Sequence, residues 1–173
     1  EEVLPVSTLL LSGNKLSGSI PDSYTEALNC QSGVFQAFAV ASNDISGTLP
    51  AALTADCMKM SIKYLILDDN KLTGTIPDFS ALIQLQALTL DNNQFTGEFP
   101  DLGKNEALLF LGVPLTEAMP DIPISKMPRG TNPVALRISS GWACRSIMHR
   151  PIECTANVQR TRNAACGGCR RQA

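Results

Sequence analysis

The chain has 173 residues, of which 44% are hydrophobic and 5% aromatic, and its formal net charge is −2. A chain of this size can bury one substantial core, and its apolar runs are shorter than the ~20 residues that a membrane-spanning helix requires. The small net charge conceals a division, because residues 1–125 hold 15 acidic and 5 basic side chains whereas residues 126–173 hold 1 acidic and 9 basic ones.

From residue 9 onward the sequence repeats one pattern four times, over 9–21, 38–50, 65–77 and 88–100. Each copy follows ΦxΦxxNxΦxGxΦP, where Φ is apolar, and its asparagine stands at position 14, 43, 70 or 93. This spacing is typical of a leucine-rich repeat, whose period is about 20–29 residues and in which each copy forms one coil of a solenoid. Because two apolar residues alternate before each asparagine, the pattern also predicts one short parallel strand per coil.

Two residue types recur after each strand, and we interpret both as structural. An asparagine amide carries donors and an acceptor, so asparagines stacked at one level can bond the turn backbones of neighbouring coils. The glycine four residues later can adopt positive φ, and a proline then fixes an extended path. The asparagines are Asn14, Asn43, Asn70 and Asn93, and the glycines are Gly18, Gly47, Gly74 and Gly97.

A fifth, degenerate copy is predicted further along the chain. In it, Leu108 and Phe110 are expected to be the inward-facing pair of the strand, and Val113 stands in the place of the asparagine. Glu117 replaces the glycine, so the turn cannot be satisfied in the same way. The regular stack is therefore expected to end there.

Six cysteines favour an oxidising compartment. Cys30 and Cys57 occupy nearly the same place on consecutive coils, and coils stack at about 4.8 Å, so we predict a disulfide bond between them. Four more cysteines lie in the C-terminal part and could form two disulfide bonds or a four-thiolate zinc site. We favour disulfide bonds, because only the last two form a CxxC pair. These four are Cys144, Cys154, Cys166 and Cys169.

The sequence thus predicts two parts. Residues 1–125 form an α/β solenoid of about five repeats with a short parallel sheet on its concave face, and residues 126–173 form a basic, cysteine-rich cap or tail. The basic residues could contact an acidic surface, a membrane headgroup layer or nucleic acid, dock on the acidic solenoid, or only increase solubility. No nucleic-acid motif accompanies them, so nucleic acid is not a predicted partner.

No residue pattern indicates catalysis. The one histidine, His149, has no serine or carboxylate pattern nearby that would form a triad or a metal site. Asp68, Asp69 and Asp91 could imitate an acid/base set, but carboxylates at successive outward positions are commonly a solvated binding face. We predict no enzymatic activity, no cofactor and no bound metal.

The outward positions of the predicted sheet suggest a binding surface, because they form columns with one residue per coil. Coils three and four place apolar and acidic residues side by side, an arrangement that suits a basic peptide or protein. The alternative is an unused sheet face with ordinary polar side chains. The predicted ligand contacts are Tyr64, Ile66, Asp68, Asp69, Thr89, Asp91 and Asn92.

The segments LSGNKLSGSIP, ASNDISGTLP, LDDNKLTGTIP and LDNNQFTGEFP resemble the plant-type class of leucine-rich repeats. Proteins with similar segments include plant receptor-kinase ectodomains, polygalacturonase-inhibiting proteins and the promastigote surface antigens of kinetoplastid parasites. The resemblance covers residues 3–120 and implies a right-handed superhelix with an extra β-segment near each Gly-x-Ile-Pro stretch. It also implies recognition of peptides, proteins or glycans outside the cell.

The favoured function is therefore an extracellular or cell-surface recognition module that binds a protein, peptide or glycan through its concave face. Two alternatives stay open: a secreted inhibitor of a cell-wall glycosidase, and a structural coat antigen whose partners are its own copies. No membrane span is predicted, although a flanking region could anchor the protein. The first repeat begins close to Glu1, which suggests a fragment or a processed product.

Overall fold

The structure, a computed structural model, describes residues 6–23, 33–114, 124–128, 135–138 and 141–142. Within these residues the strands form two sheets. The first sheet has the order β1 (Thr8–Leu10), β3 (Ala37–Ala39), β5 (Tyr64–Ile66), β7 (Ala87–Thr89), β9 (Phe110–Val113), β10 (Ala135–Ile138) and β11 (Gly141–Trp142). The second sheet has the order β2 (Ser17–Gly18), β4 (Asp44–Thr48), β6 (Lys71–Thr75) and β8 (Gln94–Thr96).

All strand pairs are parallel except β10 with β11, which is antiparallel. Neighbours in the first sheet come from successive coils, so each coil adds one strand and the chain winds as a solenoid. The predicted fold is confirmed in this respect. The second sheet runs beside the glycine of each repeat, which is where the resemblance implied an extra β-segment.

The inward side chains of the first sheet form the core. Those of coils three and four are completely buried, whereas Leu9 and Leu11 of the first coil are only partly buried. The difference arises because β1 is the end strand of its sheet, and no described strand covers its other side. The completely buried residues are Leu65, Leu67, Leu88 and Leu90, each with 0% exposure.

Short helical segments follow β4 in the second coil. A 3-10 helix, Ala51–Thr54, is followed by α1, Asp56–Lys59. The ammonium group of Lys59 donates a hydrogen bond to Asp56 over 2.5 Å, and this bond and its positive charge lower the pKa of the exposed Asp56 carboxyl. Across the described part of the chain, no helix has the length and apolar character needed to cross a bilayer.

A 3-10 helix further along, Ile124–Lys126, docks against the fourth coil. The Lys126 ammonium donates to the Phe99 carbonyl over 2.7 Å and to the Glu98 carboxylate over 3.1 Å. Leu102 N–H donates to the Lys126 carbonyl over 2.8 Å. The start of the predicted C-terminal part therefore contacts the solenoid.

The repeated asparagines hold adjacent coils together. The Asn70 amide group donates to the Val40 carbonyl of the preceding coil over 2.9 Å, and to the Leu67 and Asp68 carbonyls of its own coil over 3.3 and 3.2 Å. Its oxygen accepts the Ile45 N–H over 3.0 Å. Asn70 thus satisfies backbone groups that would otherwise be buried without partners.

The same arrangement recurs one coil earlier and one coil later. The Asn43 oxygen accepts the Leu16 N–H over 3.0 Å, and the Asn93 oxygen accepts the Leu72 N–H over 3.0 Å. Asn43 also donates to the Leu11 carbonyl of the preceding coil over 3.0 Å. Asn43, Asn70 and Asn93 thus bond backbone groups of the preceding coil, and these contacts form what we call the asparagine ladder.

The two sheets differ in register. In the first sheet, pairing joins equivalent positions of the repeat, so Tyr64 pairs with Ala87, and each stands six places before its asparagine. In the second sheet, pairing joins positions of the repeat that are not equivalent. Ser46 pairs with Lys71, but Ser46 stands three places after Asn43, whereas Lys71 stands one place after Asn70. The second sheet is therefore displaced by two places at this step, and the same displacement occurs at its other two steps.

This displacement explains the glycine of the repeat. Gly74 has φ of 76°, and an added Cβ would lie 2.8 Å from the Thr48 methyl carbon of the preceding coil. A side chain would therefore be strained by both its backbone conformation and its neighbour. The predicted positive φ is confirmed at all four positions, with values of 88° at Gly18, 79° at Gly47, 76° at Gly74 and 84° at Gly97.

The predicted register of the fifth coil is wrong by three places. Ala87 pairs with Phe110, so Phe110 faces outward, and the inward residues are Leu111 and Val113, which are 0% and 1% exposed. Leu108 was predicted to lie in the strand. It is buried, but it lies two residues before the first residue of the strand, Phe110. The physical reason is that the spacing between coils three and four continues into coil five, so Leu108 corresponds to Leu85 of the fourth coil.

Several predictions fall on residues outside the described part of the chain. Cys57 is half-buried and disulfide-bonded, but Cys30 lies outside the described residues, and the Cys30–Cys57 pairing stays a prediction. The four C-terminal cysteines and His149 also lie outside it. The boundary at residue 125 stays a prediction too, and β10 extends the first sheet beyond it.

We expect Asn70→Ala to lower the free energy of unfolding by about 3 kcal/mol or more, because several buried backbone groups lose their partner. The matched control is Asn14→Ala, since Asn14 is exposed and its amide donates to carbonyls of its own coil, those of Leu11 and Ser12. There the loss should stay below about 1 kcal/mol. Urea unfolding followed by circular dichroism measures both. Equal losses would contradict the ladder as a source of stability.

Candidate functional site

The candidate site is the outward face of the first sheet, where all seven predicted contact residues lie on coils three and four. Tyr64 pairs with Ala37 on one side and Ala87 on the other. Ile66 pairs with Ala39 and is placed opposite Thr89 on the fourth coil. The structure therefore brings the predicted residues together as two adjacent rows.

Tyr64 and Ile66 form the accessible apolar part of this face. The Tyr64 side chain is 40% exposed, and its hydroxyl donates to the Gln86 side-chain oxygen over 2.8 Å. Ile66 is half-buried. Because the hydroxyl is held by the fourth coil, the ring is fixed in one place on the surface. Gln86 was not among the predicted contacts.

Three of the predicted polar contacts are buried. Asp68, Thr89 and Asp91 are 7%, 4% and 0% exposed. The Thr89 hydroxyl donates to the Asp68 carboxylate over 2.5 Å and accepts the Leu67 N–H over 3.3 Å. Asp68 and Thr89 are therefore packed into the sheet face and bonded to each other across adjacent coils. Direct contact of these three side chains with a ligand stays a prediction.

Asp69 and Asn92 lie at the ends of the strands, where the chain turns. Asp69 and Asn92 adopt φ of 54° and 53°, and Ser42 occupies the same position on coil two with φ of 54°. The Asp69 carboxylate accepts hydrogen bonds from Asn92 over 2.6 Å and from Ser42 over 3.5 Å. Asp69 is half-buried and Asn92 is exposed. A carboxylate oriented by two neutral donors thus stands at this edge.

Asp91 is accommodated by a glycine on the fifth coil. A Cβ added to Gly112 would overlap the Asp91 carboxylate and would lie 3.2 Å from the Thr89 Cα atom. The φ of Gly112 lies outside the left-handed region, so the need for glycine here is one of space alone. The sequence did not reveal the role of Gly112, because the predicted register of the fifth coil was wrong by three places.

Sequence reasoning also missed the role of coil two. Its outward residues are all alanine, and they are 7%, 8% and 7% exposed. The sequence signal for this row is the segment AFAVA, in which alanines alternate with larger apolar residues that face inward. The alanines are Ala37, Ala39 and Ala41.

The chemistry available on this face is that of binding. Within the described residues, no group of three or more histidine, cysteine, aspartate or glutamate side chains is arranged to hold a metal ion. The accessible groups are the Tyr64 ring, the half-buried Phe110 ring, aliphatic side chains, amides and the Asp69 carboxylate. Such groups provide contact area, hydrogen bonds and one negative charge.

Comparison with known proteins identifies the repeated unit. A family model described as Leucine Rich Repeat matches residues 6–26, 61–81 and 84–105. These ranges contain the asparagines of the first, third and fourth coils. No curated protein matches the chain in sequence.

Solved structures similar to the chain include those of plant receptors. That of the receptor kinase SOBIR1 from Arabidopsis thaliana has a TM-score of 0.57 at 23% identity, over 66% of this chain and 58% of that chain. That of GASSHO1/SCHENGEN3 from the same plant, in complex with CASPARIAN STRIP INTEGRITY FACTOR 2, has 0.57 at 28%, over 70% and 14%. The plant peptide hormone receptor RGFR1 in complex with RGF2 has 0.57 at 27%, over 69% and 18%. The chain thus spans 14% to 58% of the length of these proteins.

We expect Gly112→Ala to lower the free energy of unfolding by about 1–3 kcal/mol, as is usual for overpacking of a close-packed site. Thermal and urea unfolding measure the loss. The double variant Gly112→Ala with Asp91→Ala removes the overlap, so its loss should be smaller than the sum of the two single losses. Strict additivity would show that the two residues are not coupled.

Proposed function

Because the chain is a leucine-rich repeat protein of the plant type, we propose that it is a non-catalytic recognition module that binds a peptide or protein outside the cell. The outward face of the first sheet is the proposed binding surface. The observation that carries the proposal is that Tyr64 is exposed on a face whose polar side chains are already held by hydrogen bonds. Aromatic residues fixed in this way are typical anchors of interfaces.

The rigidity of the face also supports this function. Its side chains are carried by short strands, each paired on both sides in coils two to four. A surface that is already ordered loses little conformational entropy when a ligand binds. Among the similar structures, GASSHO1/SCHENGEN3 and RGFR1 are complexes with CASPARIAN STRIP INTEGRITY FACTOR 2 and RGF2, respectively. We extend the general role, binding of a peptide or protein, to this chain as a proposal.

The proposal is tested by selecting binders from a random peptide library displayed on phage, followed by affinity measurement on immobilised protein. We expect Tyr64→Ala to lower the affinity for the selected peptides at least tenfold, because about 1.4 kcal/mol of binding free energy is lost with the ring. The control is Met60→Ala, since Met60 is 71% exposed and lies outside both sheets. Its affinity should be unchanged. Failure to select any peptide, or equal weakening by both variants, would contradict the proposal.

A second candidate function, a coat antigen that associates with its own copies, is favoured by the first coil. Leu16 is 39% exposed, whereas the corresponding residues of the next three coils, Ile45, Leu72 and Phe95, are 6%, 0% and 1% exposed. Among the described residues, β1 and β2 are end strands of their sheets. An apolar edge of this kind can pair with another chain.

Self-association is measured by sedimentation velocity over a wide range of protein concentration. If the first coil carries it, Leu16→Glu should abolish the larger species, because burying an unpaired carboxylate is unfavourable. A protein that stays monomeric at every concentration would exclude the coat function. Stoichiometric inhibition of a purified polygalacturonase would instead support the glycosidase inhibitor.

A further inference from the structure

The outward side of coil two is a recess in the candidate face. Its three alanines carry only methyl groups, and their neighbours in register are larger on both sides. Thr8 and Leu10 stand on coil one, and Tyr64 and Ile66 stand on coil three. We call this recess the alanine trough; its floor is Ala37, Ala39 and Ala41.

The walls of the alanine trough are apolar and accessible. Leu10 is 69% exposed on one wall, and Tyr64 is 40% exposed on the other. The hydroxyl of Tyr64 is bonded to Gln86 of coil four, so the ring is tethered away from the trough floor. The strands that carry the two walls are two strand spacings apart, about 10 Å between their backbones.

One end of the trough carries a negative charge. Asp69 follows Ile66 by three places, and because the chain turns at Asp69, the two lie at most about 10 Å apart along the strand direction, the length of three extended residues. Its hydrogen bonds come from Ser42 and Asn92, which are neutral donors. In the described part of the chain, the ion pairs involve Asp44, Asp56 and Glu98 and not Asp69. Asp69 is therefore a fixed charge without a cationic partner there.

The surrounding charge favours a cationic ligand as well. Residues 1–125 hold 15 acidic and 5 basic side chains. The other acidic side chains of the face, Asp68 and Asp91, are buried at 7% and 0% exposure. The accessible chemistry of the trough thus consists of an apolar slot with the Asp69 carboxylate at one end, while Lys63, whose ammonium donates to the Gln36 side-chain oxygen over 3.1 Å, precedes Tyr64 at the other end.

We propose that the alanine trough binds an extended segment of a peptide or protein that presents an aliphatic side chain and, two to four residues away, a lysine or arginine. The spacing follows from a separation of at most about 10 Å between slot and carboxylate at about 3.3 Å per extended residue. The aliphatic side chain packs between Leu10 and Tyr64, above alanines that are themselves 7–8% exposed, and the cation pairs with Asp69. This assignment rests on the proposed recognition of a peptide or protein by the same face.

The test uses an array of immobilised ten-residue peptides. One set places a leucine at a fixed position and moves a single lysine from one to six residues away; a second set replaces the lysine with glutamine, and a third replaces the leucine with serine. We expect binding of the first set to peak at separations of two to four, with at least a fivefold loss in each of the other sets. The signal should also fall as salt is added.

Two variants locate the contact. Asp69→Asn keeps a residue that tolerates positive φ and removes the charge, so it should weaken the best peptide at least fivefold and abolish its preference for lysine over glutamine. The control variant is Asp44→Asn, which removes an exposed charge from the second sheet. It should change neither the affinity for the best peptide nor the preference for lysine over glutamine. Ala39→Leu fills the slot and should reduce binding at least tenfold. Its folding is checked by thermal unfolding, and Ala39→Ser serves as the milder variant.

The outcomes separate this inference from the proposed function. Peptides that bind without dependence on lysine position, Asp69 or Ala39, but that still depend on Tyr64, would overturn the trough and leave recognition by the face intact. An array in which no peptide binds, together with a phage selection that yields none, would overturn both. Dependence on lysine, on Asp69 and on Ala39 together would establish the trough.

Discussion

The solenoid depends on one constraint: the turn after each strand buries backbone N–H and carbonyl groups that have no backbone partner within their own coil. The asparagine ladder meets this requirement with a single side chain per coil. The Asn70 side chain makes several of these bonds at once. Its NH2 group donates to carbonyls of two coils, and its oxygen accepts the N–H of Ile45. Adjacent coils are therefore joined by directional bonds as well as by the packing of leucines, and the strands remain in register.

The same stacking determines what the outward face can offer. Side chains on neighbouring coils stand about 4.8 Å apart, close enough for short polar groups to bond one another. Asp68 and Thr89 do so, and they are consequently withdrawn from solvent. Larger or terminal side chains, such as Tyr64 and Asp69, remain available. The face is thus less acidic than its composition suggests, and its accessible chemistry is mainly apolar.

Much of the fold could be predicted from the sequence, because the determinants are local and repeated. The asparagine, the glycine and the alternating apolar residues each specify the same coil, and their spacing identifies the strands of the first four coils. The fifth coil could not be placed from the strand pattern alone, since Val113 was mistaken for the ladder position. Leu108 and Leu111 carry the spacing that places it.

The candidate site was harder to predict for a different reason. Its seven predicted residues lie on coils three and four, but the exposure of each depends on the size of its neighbours on adjacent coils. The burial of Asp91 requires the missing side chain of Gly112, and the trough requires three alanines beside Tyr64 and Ile66. Such contacts join residues of different coils, which are distant in sequence and follow no repeat consensus.

The constant displacement of the second sheet has a consequence for variation in coil length. The separation between successive asparagines shrinks along the chain from Asn14 to Asn93, yet every step of the second sheet joins a residue three places after one asparagine to a residue one place after the next. The segments outside the two sheets absorb the whole change in length, so the pitch of the winding does not depend on it. Insertions in those segments leave the spacing of side chains along the first sheet unaltered. The outer surface of the protein can accordingly diverge while the geometry of the first sheet is preserved.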